Sequence, residues 1–250
     1  MIETEHLTKR FGTLVAVDDL NFKIAPGEFF AFLGPNAAGK TTTIKLLTGL
    51  LKPTSGRALI GGHDIHQDPV EARKLISYVP DLPFLYDKLE PMEFMGLVGQ
   101  LYGMERREVM RTSEKLFETF GLTETRGQLI ETLSHGTRQR VVIASALLHD
   151  PKVIIIDEPM VGLDPRSARV VKDVLKARSR AGTTVFLSTH VLHIAEELAD
   201  RIGILNRGKL IAVGTMGELR EASGEGGALE DAFLALTREQ EREKTTVARP

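Results

Sequence analysis

Apolar positions recur along this chain at two different spacings. Runs rich in β-branched and aromatic residues predict strands over Ile2–Lys9, Leu14–Ile24, Glu28–Leu33 and Arg57–Ile60, with a helix over Lys40–Leu50 among them. Pro53-Thr54-Ser55-Gly56 reads as a turn, and Ile76–Val79 as a further strand. From about Leu82 to Leu133 the strand pattern stops and helical spacing takes over, with helices over Pro91–Tyr102 and Arg106–Phe120, the second stopped by Gly121. An apolar helix, Val141–Leu148, follows. Strand and helix then alternate through Lys152–Ile156, Arg166–Arg180, Thr183–Leu187 and Val191–Ala199, before two paired short strands, Arg201–Leu205 and Lys209–Val213. Glu225-Gly226-Gly227 predicts a hinge before a last helix, Ala228–Arg238, and the charged residues 239–250 predict a flexible tail. The alternation implies an α/β core, and no internal repeat interrupts it.

The segment Gly34-Pro35-Asn36-Ala37-Ala38-Gly39-Lys40-Thr41-Thr42 lies between an apolar strand and an amphipathic helix. That order is what a phosphate-binding loop requires. Glycines let the backbone fold around a phosphate with its N–H groups inward, and the following helix turns its positive end to the anion. The pattern predicts nucleoside triphosphate binding, with Lys40 on the β- and γ-oxygens and Thr41 on Mg²⁺. Far downstream, Val153-Ile154-Ile155-Ile156-Asp157-Glu158-Pro159 reads as a buried parallel strand ending in two acids. Strand C-termini are where open α/β sheets bind ligands. Asp157 is placed to hold Mg²⁺, directly or through water, and Glu158 to polarise an attacking water.

Between these two pieces lies Leu133-Ser134-His135-Gly136-Thr137-Arg138-Gln139-Arg140, in which Ser134 is a good helix N-cap and Gly136 permits close backbone approach. Downstream come Gly162-Leu163-Asp164-Pro165 and Ser188-Thr189-His190. The whole series, in this order from Phe11 to about Leu236, resembles the ATP-binding subunit of an ATP-binding cassette (ABC) transporter. The resemblance implies a phosphate-loop NTPase fold: an α/β core with a mixed, mainly parallel sheet, an N-terminal antiparallel β-subdomain and an inserted α-helical subdomain. It implies one domain over 1–238, with the helical lobe at about 82–150. It also implies that Ser134 and Gly136 cap the γ-phosphate of ATP bound to the other subunit of a head-to-tail dimer, that Asp164 belongs to a loop reaching across that dimer, and that His190 contacts the γ-phosphate beside Glu158. Phe11 matches the position that stacks on adenine, although an aromatic before a glycine is as often a packing residue. His193, one helical turn after His190, reads as a solvated face.

The resemblance further implies ATP and Mg²⁺ as cofactors and a transmembrane permease subunit as partner, in a homodimer or a heterodimer with a related ATPase. Helices near Asp81–Glu93 would transmit the motion to that permease. Leu229–Thr237 and Pro80-Asp81-x-Pro83-x-Leu85-Tyr86 look like the branch serving multidrug or antibiotic exporters. The alternative is a soluble or regulatory relative doing mechanical work on a non-transport complex. Cargo is not legible, because selectivity in the family belongs to the membrane subunit.

Three departures from the family pattern stand out. Ala37 replaces the usual glycine; if that position needs φ > 0, the alanine is strained by about 1 kcal/mol. Asp81 replaces a coupling glutamine. It can still accept a metal-bound water, but it adds charge and reaches less far. His135 and Thr137 stand where glycine and glutamine are commoner.

Composition narrows the setting. At 250 residues the chain can bury a large core. A formal net charge of −2 gives no general pull on nucleic acid, so a nucleic-acid partner is not expected. With no cysteine there are no disulfides or thiol–metal sites, which fits the cytoplasm. No apolar stretch reaches the ~18 residues that span a bilayer, and Met1-Ile2-Glu3-Thr4-Glu5 is too acidic for a signal peptide. The expected location is peripheral, on the cytoplasmic face of the cell membrane, with another polypeptide supplying the span.

Overall fold

A computed structural model describes residues 1–222. The expected hinge, the helix Ala228–Arg238, the segment Leu229–Thr237 and the tail lie outside the described residues. The first sheet is antiparallel: β1 (Ile2–Phe11) sits between β2 (Leu14–Ile24) and β4 (Ser55–Ile60), and the two-residue β5 (His63–Asp64) follows β4. The second has the order β10-β9-β3-β8-β7-β6, built from β3 (Phe29–Leu33), β6 (Ile76–Val79), β7 (Val153–Asp157), β8 (Thr184–Thr189), β9 (Arg201–Asn206) and β10 (Lys209–Gly214). All its neighbours run parallel except β9 and β10.

The parallel strands are apolar on both faces because both faces are covered. In β7, Val153 and Ile155 face one apolar cluster while Ile154 and Ile156 face the other. On the first side lie the antiparallel sheet and α1 (Lys40–Leu47). There Phe22, Phe30, Phe32 and Phe186 stack, with centroids 5.8 Å apart for Phe22–Phe30 and 5.2 Å for Phe32–Phe186. Each fully buried phenylalanine contributes roughly 2–3 kcal/mol. On the other side pack α3 (Pro91–Leu101), α4 (Arg106–Phe120), α5 (His135–Ala146), α6 (Pro165–Arg180) and α7 (Leu192–Leu198).

Several element bounds differ from the sequence reading. Helix α1 ends at Leu47 rather than Leu50, because Thr48 bonds its hydroxyl back to the Ile44 carbonyl and Gly49 turns left-handed at φ 71°. Strand β4 begins inside the expected turn, at Ser55, where Gly56 lies so close to the His6 carbonyl that a side chain would collide with it. Helix α5 begins at His135, six residues before the apolar run, since Ser134 caps it. Strand β8 runs two residues past Leu187, so His190 follows it directly. Helices α2 (Pro69–Lys74) and α8 (Met216–Ala222) were not read from the sequence, being short and mostly polar.

The helical elements are tied to the sheet at its edge strand. Tyr102, at the end of α3, donates its hydroxyl to the Ile76 carbonyl at 3.2 Å and stacks on His149 with centroids 3.5 Å apart. Ser77 donates to the Ala146 carbonyl at the end of α5. Burial pushes His149 down from its ordinary 6.5 to about 4, partly offset by the Ile76 carbonyl and Asp150. As pH falls below 6.5 the unfolded chain takes up a proton that the folded chain refuses until about 4. Stability is therefore lost across that window, on the order of 1–2 kcal/mol by pH 5 from this residue. His149→Phe keeps the ring stack and removes the titration. Its urea midpoint should drop less than the wild type's between pH 7.5 and pH 5; equal drops would contradict the assignment.

Candidate active site

The parallel register brings four chain segments to one edge. Leu33 pairs with Thr189, Asp157 with Ser188 and Val79 with Ile156, so the residues after β3, β8, β7 and β6 emerge side by side. These are Gly34, His190, Glu158 and Pro80-Asp81.

The loop after β3 folds tightly onto the hairpin of β9 and β10. A side chain at Gly34 would strike the Leu205 carbonyl, and one at Gly39 the Ala16 carbonyl, so both positions require glycine. The Gly208 N–H donates to the Ala38 carbonyl at 2.7 Å, fixing the loop from below. Arg207 and Gly208 take φ 48° and 80°, the two left-handed residues of a two-residue hairpin turn. Ala37 does adopt φ 63°, so the condition for strain at this position is met.

Lys40, only 7% exposed, donates its Nζ to the carbonyls of Gly34 (2.7 Å) and Pro35 (3.1 Å) and lies 3.9 Å from Glu158 Oε1. Burial lowers its pKa, while the charges of Glu158 and Asp157 pull it back up. Thr41 donates Oγ1 to Asp157 Oδ2 at 3.0 Å. The other carboxylate oxygen of Asp157 is buried without a hydrogen-bond partner. Tyr78 of β6 is pushed up to about 12, first by burial and then by the charges of Asp157 and Asp81, and so stays a neutral phenol beside these acids.

Glu158 occupies a left-handed backbone conformation, φ 45°, that a non-glycine residue rarely takes. Its N–H donates to the Ser188 carbonyl at 3.0 Å, Oε2 accepts from Thr189 Oγ1 at 3.2 Å, and Oε1 lies 2.8 Å from His190 Nδ1. Neither the strain nor the Thr189 contact was read from the sequence.

A cleft of about 800 Å³ lies over these groups, lined by Phe11, Asn36 through Thr42, Asp81, Asp157 and Glu158, with Arg207 to Lys209 on one wall. That volume suits a nucleotide. Phe11 is half exposed at the rim, with Lys9 Nζ over its ring at 5.1 Å. Gly34 and Pro35 form the stem of the loop rather than the cleft wall, and His190 reaches the cleft only through Glu158.

Ser134 and Gly136 do not line this cleft. Ser134 Oγ accepts the Thr137 N–H at 3.2 Å, and a side chain at Gly136 would come 3.3 Å from the Gly162 carbonyl, so the turn rests on the loop after β7. Asp164 in that loop caps α6, accepting from the N–H groups of Arg166 and Ser167. His193 is exposed.

Residues 17–161 match the family described as ABC transporter. The chain belongs to this family. It is 37% identical over 237 residues to the linearmycin resistance ATP-binding protein LnrL of Bacillus subtilis, covering 95% of this chain and 75% of that protein. It is 39% identical over 223 residues to the daunorubicin/doxorubicin resistance ATP-binding protein DrrA of Streptomyces peucetius, covering 89% and 68%. A solved structure described as the ATP binding subunit of an ABC transporter superposes with a TM-score of 0.90 at 32% identity, over 95% of this chain and 99% of that one. The dimeric post-hydrolysis state of the ATP-binding cassette MJ0796, bound to ADP and Pi, superposes with a TM-score of 0.79 at 26% identity, over 86% and 98%. The α/β phosphate-loop fold and the ATPase activity expected from the sequence agree with these relatives. This ABC protein binds and hydrolyses ATP as the ATP-binding subunit of its transporter.

Replacing Ala37 by glycine removes left-handed strain worth about 1 kcal/mol from the folded chain, so the variant should be more stable by up to about that amount. Urea unfolding of both chains measures this. A lower midpoint for Ala37→Gly would show that the alanine is not strained there.

Proposed function

We propose that this subunit powers export of drug-like molecules through a separate transmembrane permease, by closing and reopening a head-to-tail dimer around two ATP molecules. The observation that carries the reading is the separation of the signature turn, Ser134 to Gly136, from the cleft of its own chain. A second subunit, turned head to tail, would bring its signature over this cleft, so that Ser134 and Gly136 bind the γ-phosphate only in the closed dimer. Contacts made in one state alone are what allow ATP to drive the change. The drug-resistance relatives support the choice of export.

In this reading Phe11 stacks on adenine, the loop Gly34 to Thr42 wraps the phosphates, and Lys40 turns its ammonium from its own carbonyls to the β- and γ-oxygens. Thr41 and Asp157 would hold Mg²⁺, since the unpartnered Asp157 oxygen is a ligand atom without a bond to satisfy it. Asp81, which lines the same cleft, would reach that ion through water. The described residues contain no cluster of three acidic or imidazole ligands, which suits a cation bound mainly by phosphate and water. When bound, the ion neutralises charge on the transferring phosphoryl group. Glu158 polarises the attacking water, and His190 holds both Glu158 and the γ-phosphate.

The one-domain reading puts the helical lobe at about 82–150 within the described residues. A mostly apolar groove of about 830 Å³ between α3 and α4, lined by Tyr86, Leu89, Met92, Leu97, Met104 and Val109 among others, would take a segment of the permease. Beside it Leu82 and Phe84 are each 74% exposed, more than solvent alone favours. No helix among the described residues is long and apolar enough to cross a membrane, so the permease would supply the span and hold this subunit at the cytoplasmic face.

Glu158→Gln keeps shape and loses the carboxylate, so turnover should fall by about two orders of magnitude or more while ATP still binds. The protein should then accumulate as an ATP-bound dimer on a sizing column. Near-normal hydrolysis would remove Glu158 from its role.

A further inference from the structure

Three consecutive residues at the end of β8 hold three different parts of Glu158. The Ser188 carbonyl accepts its N–H, Thr189 Oγ1 donates to its Oε2, and His190 Nδ1 meets its Oε1. His190 is exposed, and its ring can turn toward a ligand. Thr189 is only 2% exposed, and its hydroxyl has no such freedom.

The direction of the Thr189 bond follows from its other partner. Thr189 Oγ1 accepts the Val191 N–H at 3.1 Å, at the start of α7. A hydroxyl has one hydrogen to give, and a carboxylate can only accept. The Thr189 proton is therefore committed to Glu158 Oε2. Such a bond, to a charged acceptor, is short-ranged and directional, and it fixes the plane of the group. Glu158 needs this support, because its φ of 45° is a conformation the backbone does not hold by itself.

We infer that Thr189 is a positioning residue for hydrolysis, acting through Glu158: its hydroxyl holds the carboxylate in place and aimed. This rests on Glu158 polarising the attacking water. Thr189 touches no ATP atom in this scheme, so its loss acts on the chemical step and not on nucleotide affinity.

The test compares Thr189→Val, which keeps the shape, with Thr189→Ser, which keeps the hydroxyl, in steady-state hydrolysis by the full chain. Thr189→Val should lower kcat about tenfold with KM for ATP within about twofold, the size expected for one hydrogen bond to a charged group. Thr189→Ser should restore kcat to within about twofold of the wild type. Thermal melting checks that each variant is folded, and Thr189→Ala replaces the valine variant under the same criteria if that one is not. A wild-type kcat in Thr189→Val, a loss that serine does not repair, or a loss that appears in KM rather than in kcat would overturn the inference. Glu158→Gln assayed alongside separates the two levels: if it is slow while Thr189→Val is normal, only the role of Thr189 falls, and if it is itself active, the role of Glu158 falls first.

Discussion

The site depends on the parallel pairing of β3, β8, β7 and β6. Because parallel strands run the same way, every segment leaving their C-terminal ends leaves at the same edge, and the pairing of Leu33 with Thr189 and of Asp157 with Ser188 fixes them within about one residue of each other. A phosphate loop from the first third of the chain thus meets acids and a histidine from its last half. The register itself is held by side chains on both faces, Ile154 and Ile156 against the helices and Val153, Ile155 and the phenylalanine stack against the antiparallel sheet. A shift by one residue would exchange these faces and misplace Asp157 and Glu158 together.

Two residues with strained backbone lie where that edge does chemistry. Ala37 and Glu158 both take left-handed backbone, at φ 63° and 45°; Glu158 is held by a bond to β8, and Ala37 is followed by Ala38, whose carbonyl accepts the Gly208 N–H. Such conformations persist only where the surroundings over-determine them. The β9–β10 turn at Arg207-Gly208 does this under the phosphate loop, and the end of β8 does it around Glu158. The strands thus support the backbone of the site as well as delivering its side chains.

Much of this was legible in the sequence, for physical reasons that vary by element. The buried strands read clearly because continuous apolar runs admit few alternatives, and the phosphate loop because its glycines are forced by carbonyls of Ala16 and Leu205 a short distance away. The remainder was hidden. Nothing in Asn206-Arg207-Gly208-Lys209 distinguishes a hairpin that braces a phosphate loop from any other hairpin, and its role exists only through tertiary contact. The left-handed conformation of Glu158 carries no glycine to announce it. Short polar helices such as Pro69–Lys74 have too few apolar positions to show a period, and α1 stops early through a threonine back-bond that local composition does not reveal.

The central claim is that the signature turn, which lies outside the cleft of its own chain, completes the site of a second subunit. Two variants test it directly: Lys40→Ala, which loses the cation for the phosphates, and Ser134→Arg, which blocks the signature with a bulky side chain. Each should be inactive alone. In a mixed dimer one interface carries both lesions, while the other pairs an intact phosphate loop with an intact signature. Mixing the two proteins should therefore restore ATP occlusion at one site per dimer, with hydrolysis if a single site can turn over. Absence of both occlusion and hydrolysis, at concentrations where mixed dimers demonstrably form, would contradict the head-to-tail arrangement.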